Sequence, residues 1–302
     1  MNPKFILETA GTPCQDLSAA NASGKGLEGK RSSLFFTLEE KSQLYKEAVP
    51  EAKVARILEN VASMQKMARD VITAWRKVLP YKCCPSGKFP VRRPRFFWCD
   101  WEVPEQQGIQ IKQCEDYCNI MLTGEALSVK NFLPQHLKVL PGFKAFPCFM
   151  QALPRRNPPL RPAGIETCDA EALGRWEKDA FRFPPYQYRE DNLVQCSRTK
   201  RKMTPPVEVR EELMGFHRDF TFECFAGVER KRNAKEHEDA RLCLLGSSIH
   251  VPVLAMLLAP QLKNWGFLQS LPSMEDIIAR TGRSNKPKLA DERLLVLAYV
   301  NR

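Results

Sequence analysis

Apolar positions in the first hundred residues switch between two periods. FILETAG (5–11) and AKVARILENV (52–61) are short, nearly continuous apolar runs, the pattern of buried strands. LFFTLEEKSQLYKEAV (34–49) and VASMQKMARDVITAWRKVL (61–79) place apolar residues at i, i+3 and i+4, which predicts helices with one buried face. VRRPRFFWCDWEV (91–103) returns to strand-like alternation. Strand, loop, helix, strand, helix, strand in that order predicts a parallel sheet covered by helices. Between the first strand and first helix, GTPCQDLSAANASGKGLEGKRSS (11–33) is rich in Gly, Ser and Asn with interleaved lysines, the composition of a mobile loop.

From Cys99 to Lys200 the periodicity degrades and prolines cluster, as in LPRRNPPLRPAG (153–164) and FRFPPYQYR (181–189), which reads as an irregular inserted module. Helical patterning resumes in TPPVEVREELMGF (204–216), and LLGSSIHVPVLAMLLAPQL (244–262) reads as a turn followed by an apolar helix. Ser273 and Asp276 have capping-box spacing, with Gly282 as the expected helix stop. LLVLAYV (294–300) is apolar with no evident destination. The expected organisation is 1–98 as half of a catalytic sheet, 99–200 as the insert, 201–265 as a return to the sheet domain and 266–302 as an extension.

The 302 residues are ample for a buried core. Lys plus Arg number 46 against 35 Asp plus Glu, so the formal charge is +11, which suits a polyanionic partner. No run of ~20 consecutive apolar residues is seen, and no membrane is expected as a partner. The amino terminus has no basic start followed by a long apolar core, so no secretory signal is expected. Eleven cysteines without a repeating spacing favour reduced thiols over a disulfide framework. Cys83, Cys84, Cys99, Cys114 and Cys118 contain no CxxC pair, so no metal site is expected.

Five segments carry a family resemblance. GTPCQ (11–15), Glu59-Asn60-Val61, Arg93-Pro94-Arg95, RKMTPPVEVREELMGF (201–216) and LLGSSIHVPVLAMLL (244–258) resemble, in order, the motifs of the C5-cytosine DNA methyltransferases. Asp16-Leu17-Ser18 after the Pro-Cys-Gln is most similar to the animal de novo enzymes. The resemblance implies an α/β, partial Rossmann-like S-adenosylmethionine-dependent methyltransferase fold with a target-recognition domain at 99–200. It implies methyl transfer to C5 of a cytosine flipped out of duplex DNA, and a nuclear protein, or a cytoplasmic one in a prokaryote. Cys14 would add to C6 of the base. Glu59, a buried glutamate able to hold a proton at neutral pH, would act at N3. Arg95 and Arg93 would favour the thiolate and orient the base, and Asn60 would hold the backbone around Cys14.

The same resemblance assigns DNA contacts to the loop residues Gln15, Ser18, Asn21, Lys25, Lys30 and Arg31 and to Arg201 and Lys202, and part of the donor pocket to Pro13, Gly246, Ser247 and Ser248. Within the insert, Arg155, Arg156, Arg161, Arg198 and Lys200 form basic clusters suited to phosphates, and Tyr186 and Tyr188 supply aromatics. Three departures accompany it. Val91 stands where many members carry glutamine, and Ser247 where asparagine is commoner. The family's donor-binding strands, with their Phe-x-Gly-x-Gly turn, precede the Pro-Cys motif, whereas only ten residues precede Gly11 and no such turn occurs downstream. The expectation is an amino-terminally truncated chain, unstable alone unless its missing segment or a complete methyltransferase finishes the sheet. A catalytically inactive DNA-binding or regulatory homologue, and a transfer-RNA cytosine methyltransferase, are the alternatives.

Overall fold

The computed structural model describes residues 3–19, 21, 23–153, 155–224, 234–281 and 294–299. The chain is α/β, as expected. Its first elements fall where the periodicity put them: β1 (Phe5–Gly11), α1 (Leu34–Ala48), β2 (Lys53–Val61) and α2 (Lys66–Arg76). Short β3 (Tyr81–Cys83) precedes β4 (Arg95–Cys99), and β5 (Ile109–Gln113) and β6 (Cys118–Leu122) follow as a hairpin. β10 (Leu294–Tyr299) completes a seven-stranded sheet of order β10-β1-β2-β4-β3-β6-β5.

The sheet is mixed rather than parallel. β1 lies parallel to β2 and β10, but β4 runs antiparallel to both β2 and β3. The physical reason is the connection: β3 and β4 are joined by eleven residues containing only a 3-10 turn, too little for the crossover helix that a parallel neighbour needs. Two further expectations change. The irregular module does not begin as a separate body at Cys99, because β5 and β6 join the main sheet. The apolar 294–299 run, which had no evident destination in the sequence, pairs in parallel with β1.

Side chains of alternate parity divide the sheet's two faces. Ala10, Leu58, Phe96 and Trp98 pack on Phe35 and Leu38 of α1 and Ala68 and Ile72 of α2. Phe35, Ile72 and Trp98 are wholly buried, each contributing roughly 1.5–3 kcal/mol of transfer free energy. Leu7, Ile57, Phe97 and Cys99 face the other way, toward Val253, Met256 and Leu257. Those last belong to the second of two consecutive helices, α5 (Ala234–Ser247) and α6 (Val251–Asn264). By length and composition Ala234–Asn264 is apolar enough to cross a membrane. Here it is interrupted at Ser248–His250, and Leu242, Leu245, Val253, Met256 and Leu257 are spent on the core.

The remaining module holds a small antiparallel sheet of β7 (Leu137–Val139), β8 (Val194–Cys196) and β9 (Lys202–Met203), with α3 (Ala170–Lys178) and α4 (Val207–Leu213). Trp176, Phe183, Tyr188 and Leu245 form its core. α7 (Met274–Arg280) begins with the expected capping box, Ser273 and Asp276 exchanging side-chain and backbone bonds; Gly282 lies outside the described residues.

Candidate functional site

The site is made by strand register. Gly11 at the end of β1 lies opposite Glu59 on β2, and Val61 two residues on lies opposite Arg95, the first residue of antiparallel β4. The carboxyl ends of two parallel strands and the amino end of an antiparallel one therefore meet at one edge of the sheet, where α/β folds place reactive groups. Residues two apart share a face, so Glu59 and Arg95 point the same way. Arg95 Nε and Glu59 Oε1 form an ion pair at 2.6 Å, both side chains about nine-tenths buried. Gly11 leaves room for this pair: a Cβ there would sit 3.2 Å from Glu59 Oε2.

Cys14 follows three residues after β1, held near the pair by its backbone. Its carbonyl accepts from Leu17 and Ser18 N–H, and Leu17 is buried against the α1–α2 side of the sheet. Asn60, pointing away from Glu59, donates to Thr12 Oγ1 (2.8 Å) and Thr12 O (3.3 Å) and so fixes the turn that delivers Cys14. Burial raises the Cys14 thiol pKa above its ordinary value. Arg95 and then Arg93 pull it down, Glu59 pushes it up, and the net shift is upward. Arg95 and Arg93 thus act on the thiol in the expected direction, toward the thiolate, while desolvation outweighs them in the net shift.

Arg93 has a second, structural role that the sequence did not predict. It is buried beneath the site and donates to Phe149 O (3.2 Å), Gly246 O (3.0 Å) and Ser248 O. It ties the sheet to the module and to the turn between α5 and α6. It also approaches Cys148 Sγ (3.5 Å), as does Arg95 (3.8 Å). Burial pushes the Cys148 thiol up, but the charges and hydrogen bonds of Arg95 and Arg93 outweigh it, so its pKa falls below the ordinary value. Cys148 is a site residue that sequence reasoning missed. Its only sequence signal was membership of a Pro-Cys pair, Pro147-Cys148, in an aperiodic stretch. Val91, at the position of the expected glutamine, is buried and bridges Phe146 as part of the same anchoring.

The loop after Cys14 is folded on itself. Asp16 O accepts from Gly26 N (3.0 Å), the Asp16 carboxylate lies against Gly29, and Asn21 Nδ2 donates to Gln15 O (2.9 Å). Lys25, Lys30 and Arg31 stand exposed on it. Arg155, Arg156, Arg161, Arg198, Lys200 and Arg201 are exposed on the module. Lys202 is ion-paired to Glu190 at 2.6 Å, and Tyr188 is buried with its hydroxyl donating to Asp179 at 2.7 Å, so neither is presented as a free contact.

The turn expected to contribute to a donor pocket is used internally. A Cβ on Gly246 would collide with the backbone of Gln151, including its Cα at 2.8 Å. Ser247 Oγ accepts from Gln151 Nε2 (2.5 Å) and donates to Cys243 O (3.0 Å), and Ser248 Oγ donates to Leu245 O (2.8 Å). With close backbone packing and committed hydroxyls, Gly246, Ser247 and Ser248 do not fit a pocket for S-adenosylmethionine. Pro13 O accepts from Ser32 Oγ (3.3 Å).

No family model matches the chain, and no curated protein matches it. Among solved structures it is similar to a mutant of DNMT2 from Spodoptera frugiperda, at 14% identity and a TM-score of 0.43, covering 85% of this chain and 80% of that one. A likeness that distant assigns no substrate.

Proposed function

We propose that the chain is a C5-cytosine methyltransferase catalytic region acting on duplex DNA. The observation that carries this reading is the convergence of Cys14, Glu59 and Arg95 at one sheet edge, with Glu59 and Arg95 2.6 Å apart. Cytosine C5 becomes nucleophilic only after a nucleophile adds at C6, and Cys14 supplies a sulfur for that bond. Charge then builds on the ring. Arg95, positioned by Glu59 and the Pro94 carbonyl (2.9 Å), offers a buried cation to it, and Glu59 a carboxyl group within reach of the same space. The exposed lysines and arginines of the loop and module suit a phosphate backbone. The methyl donor implied by the sequence resemblance is S-adenosylmethionine, whose group would be transferred to C5 of the base. The turn at Gly246–Ser248 does not form its pocket, so no step is assigned to donor-binding residues.

That same misfit favours a second reading, a chain that binds DNA without transferring methyl groups. Transfer of a labelled methyl group from S-adenosylmethionine to duplex DNA and to transfer RNA, with Cys14→Ser in parallel, separates these readings. Signal on duplex DNA that vanishes in Cys14→Ser supports the proposal. Signal on transfer RNA alone moves the substrate class. Salt-sensitive DNA binding with no transfer to either replaces the proposal with the second reading.

A further inference from the structure

Behind the arginine pair lies a cavity of about 340 Å³, open to solvent and lined by Arg92, Lys144, Cys148, Tyr186, Arg189 and Asn192 among others. That volume is enough for a small organic ligand. Arg189 is paired with Asp191 (2.9 Å), which also lines the cavity, whereas Arg92 and Lys144 form no ion pair among the described residues. The cavity therefore carries two uncompensated cations at its walls. Cys148, partly exposed, borders it with its sulfur held by Arg93 at 3.5 Å and Arg95 at 3.8 Å. Of the two cysteines beside this arginine pair, Cys14 is the one whose thiol burial holds up, and Cys148 the one the arginines pull down.

We propose that this cavity is a site of reversible S-thiolation, at which Cys148 exchanges with a small disulfide bearing carboxylates. The Cys148 thiolate attacks one sulfur of the disulfide. A new S–S bond forms, the old one breaks, and the departing thiolate carries away the electron pair and takes a proton from solvent. Arg92 and Lys144 attract the carboxylates of the incoming molecule. The product sulfur is uncharged, so Arg93 and Arg95 lose their anionic partner. Because Arg95 also holds Glu59, the adduct would switch off the chemistry proposed above; this consequence alone rests on that reading.

The test is exchange of the whole chain with oxidised glutathione, which is anionic, and with cystamine, which is cationic, followed by peptide mapping of the mixed disulfides. Cys148 is expected to react first, ahead of Cys14 and the partly exposed Cys84 and Cys114, with the anionic disulfide favoured about tenfold. The double variant Arg92→Ser, Lys144→Ser should bring that charge preference close to one while Cys148 remains the first site. Modification that begins at Cys14 or Cys84, or a charge preference unchanged in the double variant, overturns the proposal. Mapping needs no methyl transfer, so it stands or falls independently of the enzymatic reading. If the chain transfers methyl groups, loss on thiolation and recovery on reduction complete the case, and activity untouched by a Cys148 adduct rejects the switch.

Discussion

At the scale of single residues, two cysteines share one arginine pair and are driven in opposite directions. Cys14 is raised because desolvation dominates, and Arg95 is the group that most limits the rise. A thiol titrating above its ordinary value is mostly protonated near neutrality, so the rate of C6 attack should increase with pH through the alkaline range. Arg95→Gln removes the largest opposing charge. The alkaline limb of a single-turnover rate profile should then move to higher pH, besides the rate falling. A limb that stays in place in the variant would show that Cys14 is not the titrating nucleophile. Cys14, Glu59 and Arg95 were legible in sequence because each sits in a motif. Cys148 was not, because nothing in an aperiodic proline-rich stretch announces which strand end it will fold against.

At the scale of elements, two glycines at the site make different demands. A Cβ on Gly11 would lie 3.2 Å from Glu59 Oε2, a tight contact that a side-chain carboxylate can relieve by shifting a few tenths of an ångström. Gly11→Ala should therefore cost little stability and act through a displaced Glu59, lowering transfer several-fold. Gly246 faces main chain, where nothing can rotate away. Gly246→Ala should destabilise by about 2 kcal/mol or more as α5 is forced from the module. Denaturant midpoints for the pair check this: equal losses would mean that the close approach at Gly246 is not what holds α5 there. The elements nearest the site were read from periodicity because β1, α1, β2 and α2 each bury one clear run or stripe. The direction of β4 was not, since a strand's side-chain pattern is the same whichever way it runs.

At the scale of the molecule, the layers meet around buried charge. Glu8 on β1 accepts from Arg56 on β2 (3.0 Å) and from Ser42 on α1, and Arg56 continues to Glu39 (2.8 Å), locking the α1 side to the sheet. On the other side His250 lies at the α5–α6 break, buried against Phe89. Burial, and then the charge of Arg93, lower its pKa to about 3 from an ordinary 6.5. The unfolded chain therefore binds a proton there that the folded chain refuses. This contribution to stability is fully present above pH 6.5 and is lost as pH falls from 6.5 toward about 3, at up to about 1.4 kcal/mol per pH unit. Unfolding free energies measured on either side of pH 6.5 should diverge in the native chain and converge in His250→Gln. An equally steep acid loss in that variant would place the titrating group elsewhere.

The sequence by itself determined the α/β class, the order of the first elements, the capped helix at Ser273 and the residue types of the site, because local periodicity and motif spacing are properties of contiguous chain. Only the tertiary structure decided that β4 runs antiparallel, that 294–299 pairs with β1, that Arg93 serves as a tie, and that Cys148 joins Arg95. Each of these is a contact between segments far apart in the chain, set by how whole faces pack and where desolvated charges find partners. That information is not carried by any one stretch of sequence.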